Sequence, residues 1–279
     1  TTRTVLHASR TLARHRHRSG FCVSLLRLIA RLDIKGENVV KGYQMEGLRV
    51  VGKPAELARR YAEDADELLY IDTVASLYGR NQLERVLEET TEDVFIPITV
   101  GGGIRTREDV RRLLAAGADK VAINTAALRN PELIRDCAQH FGSQAIVASI
   151  EAKRTPGGWE ALAENGRERT GVDALAWAKE AVALGAGELL ITSVDRDGTR
   201  RGFDVDLIAR IAPEVSVPVI ACGGMGRIEH LREVLERGRA DAVAMASVLH
   251  SGRFTIGALR AALTSAPSHA QNRFDVSPP

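Results

Sequence analysis

Short apolar segments alternate with longer amphipathic segments along most of the chain. Each short segment is a largely continuous apolar run, the pattern of a parallel strand that is covered on both faces. The segments between them repeat apolar residues at helical spacing, as at 54–64, 107–116, 173–184 and 228–237. The predicted strands are residues 28–34, 67–71, 98–100, 120–124, 145–150, 188–193, 217–221 and 242–246.

Eight alternations of strand and helix within roughly 240 residues favour a closed (β/α)8 barrel. An open doubly wound sheet is the alternative, but no GxGxxG motif follows the first predicted strand. Gly117, Gly185 and Gly238 follow three of the predicted helices, and we expect each to end its helix with a positive φ. The sequence therefore predicts an α/β protein with the TIM-barrel fold.

The sequence nearly repeats itself within the predicted barrel. Residues 96–102 return as 217–224 with one insertion, and residues 118–122 return as 240–244. Two four-stranded halves, neither able to close alone, would share one core once paired. We therefore expect a single domain made of two half-barrel repeats.

The two ends of the chain differ from this body. The first twenty residues hold five arginines and three histidines but no acid. Such a start is typical of a transit peptide or of a disordered extension without function, and the second interpretation is favoured because no apolar helical face emerges. The predicted divisions are an N-terminal extension at 1–24, the barrel at 25–263 and a flexible tail at 264–279.

Composition excludes several classes of function. The 279 residues carry a net charge of +2 and only 4% aromatic residues, which argues against binding of nucleic acid. No apolar run is long enough to span a membrane. The three cysteines are scattered and show no CxxC spacing, so we expect neither a disulfide framework nor a zinc site, and we expect a cytoplasmic location.

Two acidic residues stand at matching places in the repeat. Asp33 ends the first predicted strand and Glu151 ends the fifth. The C-terminal ends of barrel strands carry the reacting groups in this fold, and two carboxyl groups with different pKa values can divide acid–base work. The alternative is that each acid pairs with the lysine two residues on, Lys35 or Lys153, at a solvated rim.

Glycine-rich loops follow the third and seventh predicted strands. Such loops let backbone N–H groups approach a phosphate, although glycine also permits tight turns without any ligand. Their matched positions favour two phosphate sites, one in each half, for a long substrate with a phosphate at both ends. The candidate residues are Gly103, Asn124 and Thr125 for one site, and Gly224 and Ser247 for the other.

Four charges of alternating sign lie near the opposite ends of the predicted strands. A salt-bridged ring at that end of a barrel is by default structural, but it could also act as a plug or gate on the axis. No cluster with metal-ligand spacing stands at the strand ends, so we expect no metal and no cofactor. The four charged residues are Arg27, Glu67, Lys120 and Glu188.

Five ordered motifs resemble one family, the cyclase subunits of imidazole glycerol phosphate synthase from histidine biosynthesis. The resemblance covers residues 28–257, nearly the whole predicted barrel. The motifs are LDIK at 32–35, VVKG at 39–42, TVGGGIR at 99–105, ADKVAIN at 118–124 and TSVDRDGT at 192–199.

The resemblance implies a ribulosyl-formimino bisphosphate substrate. It also implies a heterodimer with a separate glutaminase subunit that sends ammonia through the barrel. It implies that Asp33 is a catalytic acid–base residue and that Lys41 belongs to a loop that closes over the substrate. It also implies the two phosphate sites given above, with Asp197 and Gly198 on or beside the second of them. The four-charge ring would then be a gate for ammonia.

The family's second catalytic aspartate falls on Glu151, which carries one more methylene group. A misplacement of about one ångström can cost about a hundredfold in rate. Residues 43–49 and 75–80 are also more similar to a paralogous branch that forms acetamidino sugars for surface polysaccharides. The histidine-pathway cyclase is the primary hypothesis, the sugar branch is its alternative, and a non-catalytic scaffold that activates a glutaminase is a third.

Overall fold

The computed structural model describes residues 26–74 and 83–265 of the chain. The predicted N-terminal extension, residues 1–24, lies outside these ranges, as do residues 75–80 and the predicted tail after Ser265. The last described helix ends at Thr264, beside the predicted barrel boundary at residue 263. No helix within the described ranges is long and apolar enough to cross a membrane.

The described strands are of two kinds, eight that form a barrel and four that form two hairpins outside it. Predicted and observed barrel strands overlap in every case. In chain order the strands are β1 (Arg27–Lys35), β2 (Asn38–Tyr43), β3 (Glu46–Gly52), β4 (Glu67–Asp72), β5 (Ile98–Gly101), β6 (Lys120–Ile123), β7 (Ile146–Thr155), β8 (Gly158–Ala163), β9 (Glu168–Asp173), β10 (Glu188–Ser193), β11 (Val219–Cys222) and β12 (Ala242–Met245).

The barrel closes in the order β1-β4-β5-β6-β7-β10-β11-β12, with every adjacent pair parallel. β12 pairs back with β1, where Arg27 lies opposite Ala242, so the ring has no free edge. This closure confirms the predicted TIM-barrel class and excludes the open sheet. Four strands come from each half of the sequence repeat, and the halves meet at β6–β7 and β12–β1.

Helices cover the outside of the barrel, and a large apolar core fills the space between helices and strands. The helix that begins at Arg107 shows how the sequence sets a helix start, because its N-cap residue Thr106 forms a reciprocal capping box with Asp109. The described helices are α1 (Pro54–Ala62), α2 (Leu83–Thr91), α3 (Arg107–Ala115), α4 (Thr125–Arg129), α5 (Glu132–Phe141), α6 (Ala174–Ala183), α7 (Val205–Ile211), α8 (Ile228–Glu236), α9 (Ser247–His250) and α10 (Ile256–Thr264).

Two of the three glycines predicted to end helices do so with a positive φ, 108° at Gly117 and 110° at Gly185. The prediction for Gly238 is wrong, because Arg239 takes the positive φ of 60° instead. A Cβ on Gly238 would lie 2.5 Å from the carbonyl oxygen of Val234. Glycine is needed there because the chain passes close to a carbonyl oxygen of the helix it has just left, and not for a left-handed conformation.

Each half carries one antiparallel hairpin that the sequence pattern did not predict. β2 and β3 extend from the end of β1, and β8 and β9 extend from the end of β7. β7 therefore continues to Thr155, past its predicted end at residue 150, because its last residues pair with β8. The hairpins occupy the same place in the two halves, above the C-terminal ends of the barrel strands.

Alternate side chains of the barrel strands point into the lumen. They form an apolar middle layer, and polar groups lie in the lumen at both ends of it. The C-terminal end of the lumen, called the mouth below, is where the two hairpins stand. The apolar layer comprises Ile29, Leu69, Ile71, Ala122, Val147, Leu190, Ile220, Cys222, Ala242 and Ala244.

Candidate active site

Four charged side chains form a closed ring of ion pairs at the N-terminal ends of the barrel strands. Arg27 Nη1 lies 3.1 Å from Glu67 Oε2, and Arg27 Nη2 pairs with Glu188. Lys120 Nζ lies 2.8 Å from both Glu67 Oε2 and Glu188 Oε2. Both carboxylates are buried, and each is shared by the two cations. The structure thus brings together the four residues of the predicted gate, called the ion ring below.

Asp33 lies inside the mouth near the end of β1, and its side chain is buried. Its Oδ1 accepts a hydrogen bond from Arg31 Nε at 2.7 Å, and its Oδ2 accepts one from Lys41 Nζ at 2.8 Å. Burial alone would raise the pKa of Asp33, but the charges and hydrogen bonds of the two cations hold that pKa well below its usual value. Asp33 is an ionised carboxylate that pairs with these cations and not with the exposed Lys35.

Lys41 lies on β2 and bridges two acids of the mouth. Its Nζ is 2.8 Å from Asp33 Oδ2 and 3.0 Å from Asp197 Oδ2, which follows β10. Burial would lower the pKa of Lys41, but the charges of Asp33 and Asp197 raise it above its usual value. The ammonium group therefore stays charged and ties the first half of the barrel to the second.

The β2–β3 hairpin folds over the mouth and contacts the second half. The backbone N–H of Gln44 donates a hydrogen bond to the carbonyl oxygen of Asp197 at 2.9 Å. Met45, at the turn of the hairpin, is buried against Leu162 of β8 and Val194. The structure therefore shows this hairpin closed.

Glu151 lies near the mouth on β7, and its environment differs from that of Asp33. Its Oε2 accepts a hydrogen bond from Asn124 Nδ2 at 2.9 Å, and the same Nδ2 also donates to the carbonyl oxygen of Leu162. Burial raises the pKa of Glu151 to about 7, although the charge of Arg31 and a hydrogen bond from the backbone of Gly166 act in the opposite direction. Glu151 can therefore gain and lose a proton near neutral pH.

A pocket of about 290 Å³, called the first pocket, opens beside Glu151. Gly103, Asn124 and Thr125, the residues predicted for one phosphate site, all line it. Asn124 Oδ1 is buried and has no hydrogen-bond partner among the described residues. Thr125 Oγ1 accepts a hydrogen bond from the backbone N–H of Glu164 at 2.9 Å.

A second pocket lies on the other side of the mouth and measures only about 20 Å³. Asp197, Gly198, Gly224 and Ser247, the residues predicted for the other site, all line it, and Lys41 reaches into it. A Cβ on Gly198 would lie 2.5 Å from the carbonyl oxygen of Gly42 in the closed hairpin. The closed hairpin therefore packs directly against Gly198.

Sequence reasoning missed Arg31 and Glu164. Arg31 contacts Asp33 from within the lumen, and Glu164 lines the first pocket with a buried Oε2 that has no partner in the described part of the chain. The signal for Arg31 was present, since an arginine two residues before Asp33 on a strand must share its face. Glu164 had no such signal, because the hairpin that carries it was not predicted.

The fold and the site define a class of protein, a two-half (β/α)8 barrel with two unlike carboxyl groups at its mouth and a ring of ion pairs at its other end. Within the described residues no group of His, Cys, Asp and Glu side chains is arranged to hold a metal ion.

Comparisons with known proteins agree with this class. The model of the family described as "Histidine biosynthesis protein" matches residues 27–255. The imidazole glycerol phosphate synthase subunit HisF of Legionella pneumophila is 60% identical over 209 residues, which cover 74% of this chain and 99% of that protein. HisF of Myxococcus xanthus is 51% identical over 247 residues (88% and 98%), and HisF of Thermobifida fusca is 51% identical over 245 residues (85% and 95%). The chain belongs to this histidine biosynthesis family, within the group of HisF cyclase subunits.

Proposed function

We propose that the chain catalyses the cyclase reaction of imidazole glycerol phosphate synthase at the barrel mouth, with Asp33 and Glu151 as its acid–base pair. Ammonia condenses with the keto carbon of the ribulosyl-formimino bisphosphate. Ring closure then yields imidazole glycerol phosphate and aminoimidazole carboxamide ribotide. The observation that carries the proposal is the presence of two buried carboxyl groups with opposite environments in one mouth.

The two environments suit the two proton transfers of the condensation. The nitrogen of ammonia must lose protons, and the keto oxygen must gain them before it leaves as water. Asp33, held as a carboxylate by two cations, suits the stabilisation of a positively charged nitrogen, and it becomes a stronger base once Lys41 leaves it for a substrate phosphate. Glu151, with a pKa of about 7, suits donation, because a catalytic acid works best with a pKa near the operating pH.

The two pockets suit the two phosphates of the substrate. We assign one phosphate to Gly103, Asn124 and Thr125 in the first pocket, where the chain turns into α4. The other phosphate falls to Gly198, Gly224 and Ser247 in the second pocket, with Asp197 beside it. Because Lys41 bridges Asp33 and Asp197 across this second site, the β2–β3 hairpin must shift to admit the substrate, and Lys41 then has a phosphate as a new partner.

The ion ring suits a gate between the mouth and a glutaminase subunit docked at the other end. Neutral ammonia released by that subunit would enter the lumen when the ring opens and would then cross the apolar middle layer. An apolar layer excludes the ammonium ion, because an unpaired charge is costly to bury. The ring and this layer together would deliver ammonia in its nucleophilic form.

The proposal is tested by supplying the purified protein with the ribulosyl-formimino bisphosphate and following imidazole glycerol phosphate. We expect turnover with ammonium salt alone and with glutamine plus the glutaminase subunit. In Lys120→Met, which breaks two pairs of the ion ring, we expect the ammonium assay to stay within about threefold and glutamine-dependent turnover to fall about tenfold. Absence of product with ammonium salt in the unaltered protein would refute the proposed reaction.

One observation supports a second candidate, the formation of acetamidino sugars. Glu151 stands where the histidine-pathway cyclases are expected to carry an aspartate. The three relatives named above all carry the HisF name, which favours the first candidate. Turnover of an acetamido sugar with ammonia, without turnover of the bisphosphate, would select the second.

A further inference from the structure

Arg31 is a buried cation in the lumen to which the proposed reaction gives no role of its own. Its side chain is only 3% exposed and starts from β1, two residues before Asp33. The guanidinium reaches across the lumen, where Nη1 lies 3.3 Å from Thr192 Oγ1 on β10 and 3.2 Å from Cys222 Sγ on β11. Arg31 thus spans the lumen between the apolar layer and the mouth.

Burying a guanidinium at this position costs more free energy than burying an apolar side chain. Removing such a charge from water costs several kcal/mol, which an ion pair and hydrogen bonds must offset. The layer directly below is filled by apolar residues such as Ile29 and Leu190, which carry no such cost. A buried charge beside a candidate catalytic acid points to a role in that site.

We propose that Arg31 is a positioning residue that fixes the Asp33 carboxylate from below and thereby gives the two acids of the mouth different roles. The inference rests on the proposed function for the roles themselves. The geometry on which it stands, an ion pair of 2.7 Å within one strand, does not depend on the substrate.

Arg31 and Lys41 hold Asp33 in different ways. Each cation binds one carboxylate oxygen, Arg31 at Oδ1 and Lys41 at Oδ2. Lys41 lies on the hairpin that must shift when substrate enters, whereas Arg31 lies on a barrel strand and is anchored at its far end by Thr192 and Cys222. Arg31 is therefore the cation that stays with Asp33 throughout the reaction.

Glu151 receives no hydrogen bond from this guanidinium in the described structure. Arg31 acts on Glu151 through its charge alone, and burial outweighs that charge in setting the pKa of Glu151. The same cation thus leaves one acid ionised and the other able to hold a proton. The titratable or charged groups near Asp33 are Arg31, Lys41, Glu151, Asp197 and His250. Cys222 lies against Arg31.

A substrate-free titration of the Asp33 carboxyl group tests the inference. Carbon-13 NMR of aspartate-labelled protein follows the group, and Asp33→Asn identifies its signal. Arg31→Gln removes the charge but keeps a polar side chain, so we expect the pKa of Asp33 to rise by about one unit or more. Arg31→Lys keeps the charge, so we expect it to restore a titration close to that of the unaltered protein.

Kinetics with ammonium salt give a second readout, in which rates are compared at equal concentrations of neutral ammonia. In Arg31→Gln we expect kcat to fall by about ten- to a hundredfold, KM to stay within about threefold, and the acidic limb of the pH profile to move upward by about one unit. Arg107→Met, which breaks an exposed ion pair with Asp136, is the control and should leave kcat, KM and the pH profile unchanged.

Lys41→Met keeps the test decisive should Arg31→Gln not fold. Because Arg31 remains in this variant, we expect Asp33 still to titrate well below the usual range of an aspartate. An ordinary titration of Asp33 in Lys41→Met, or an unchanged one in folded Arg31→Gln, would overturn the inference. Failure of the proposed function is a separate result, since it appears as absent turnover in the unaltered protein and leaves these titrations intact.

Discussion

The two halves of the barrel present an acid at the same place and surround it differently. Asp33 sits between Arg31 and Lys41, whereas Glu151 accepts a hydrogen bond from the neutral amide of Asn124. Both acids lie on a barrel strand at the point where it begins to pair with a hairpin, so the backbone places them alike. The difference comes from the side chains that each half supplies.

One position of the repeat accounts for much of this difference. Arg31 stands two residues before Asp33, and Ser149 stands two residues before Glu151. Both are buried and lie on the lumen face of their strands. The cation under Asp33 acts together with Lys41 to lower the pKa of that acid, whereas burial raises the pKa of Glu151, which has a hydroxyl beneath it. The duplicated backbone therefore gives the two acids similar positions. The residue below each acid, Arg31 or Ser149, helps to make their environments different.

The largest effect that would break this comparison is expected from Asp33→Asn. Activity with ammonium salt should fall by about 10²- to 10⁴-fold, because an amide cannot accept the proton. The variant also leaves the buried Arg31 without its ion-pair partner, which costs about 3–5 kcal/mol in the free energy of unfolding. Steady-state kinetics and urea unfolding measure the two losses.

The control for this variant is Asp206→Asn, because Asp206 forms only exposed pairs with Arg154 and Arg237. It should change the free energy of unfolding by no more than about 0.5 kcal/mol and leave turnover intact. An Asp33→Asn protein that turns over at the unaltered rate would remove Asp33 from the proposed chemistry.

Glu151→Gln should have the next largest effect, a loss of about a hundredfold in kcat. The ordinary pKa of 4.5 is raised to about 7 in the folded protein, so between these pH values the folded chain binds more protons than the unfolded chain. The free energy of unfolding should therefore fall as pH rises through this window, by up to about 3 kcal/mol from this group. Urea unfolding from pH 4.5 to 7 should lose this part of its slope in Glu151→Gln, and a slope equal to that of the unaltered protein would contradict the assignment.

The smallest effects are expected at the lysines that follow the two acids. Lys35 and Lys153 are exposed, and Asp33 pairs with other cations. Lys35→Ala and Lys153→Ala should therefore each leave kcat/KM within about twofold. A tenfold loss in either variant would show that the rim lysines, and not the side chains below, set the behaviour of the acids.

The barrel could be predicted from the sequence because each strand carries its own continuous apolar run. The repeat then placed Asp33 and Glu151 at matching strand ends without any structure. The hairpins could not be predicted in this way. Their turns use Gln44 and Met45, and Glu164 and Asn165, in the left-handed region, and none of these four is the glycine that usually marks such a turn.

The environments of the acids were harder to predict than their positions. Lys41 was expected only from a family resemblance, because its contact with Asp197 joins residues far apart in the chain. The second pocket is lined by Lys41 of the β2–β3 hairpin together with residues that follow β10, β11 and β12. Such facts depend on packing between distant segments, which local sequence patterns do not record.

The ion ring has one consequence that follows from its connectivity. Arg27 and Lys120 each bind both Glu67 and Glu188, so the four contacts form a loop without a free end. No member can swing aside without breaking two contacts together. The ring therefore opens only at the cost of two ion-pair contacts, whichever of its four side chains moves.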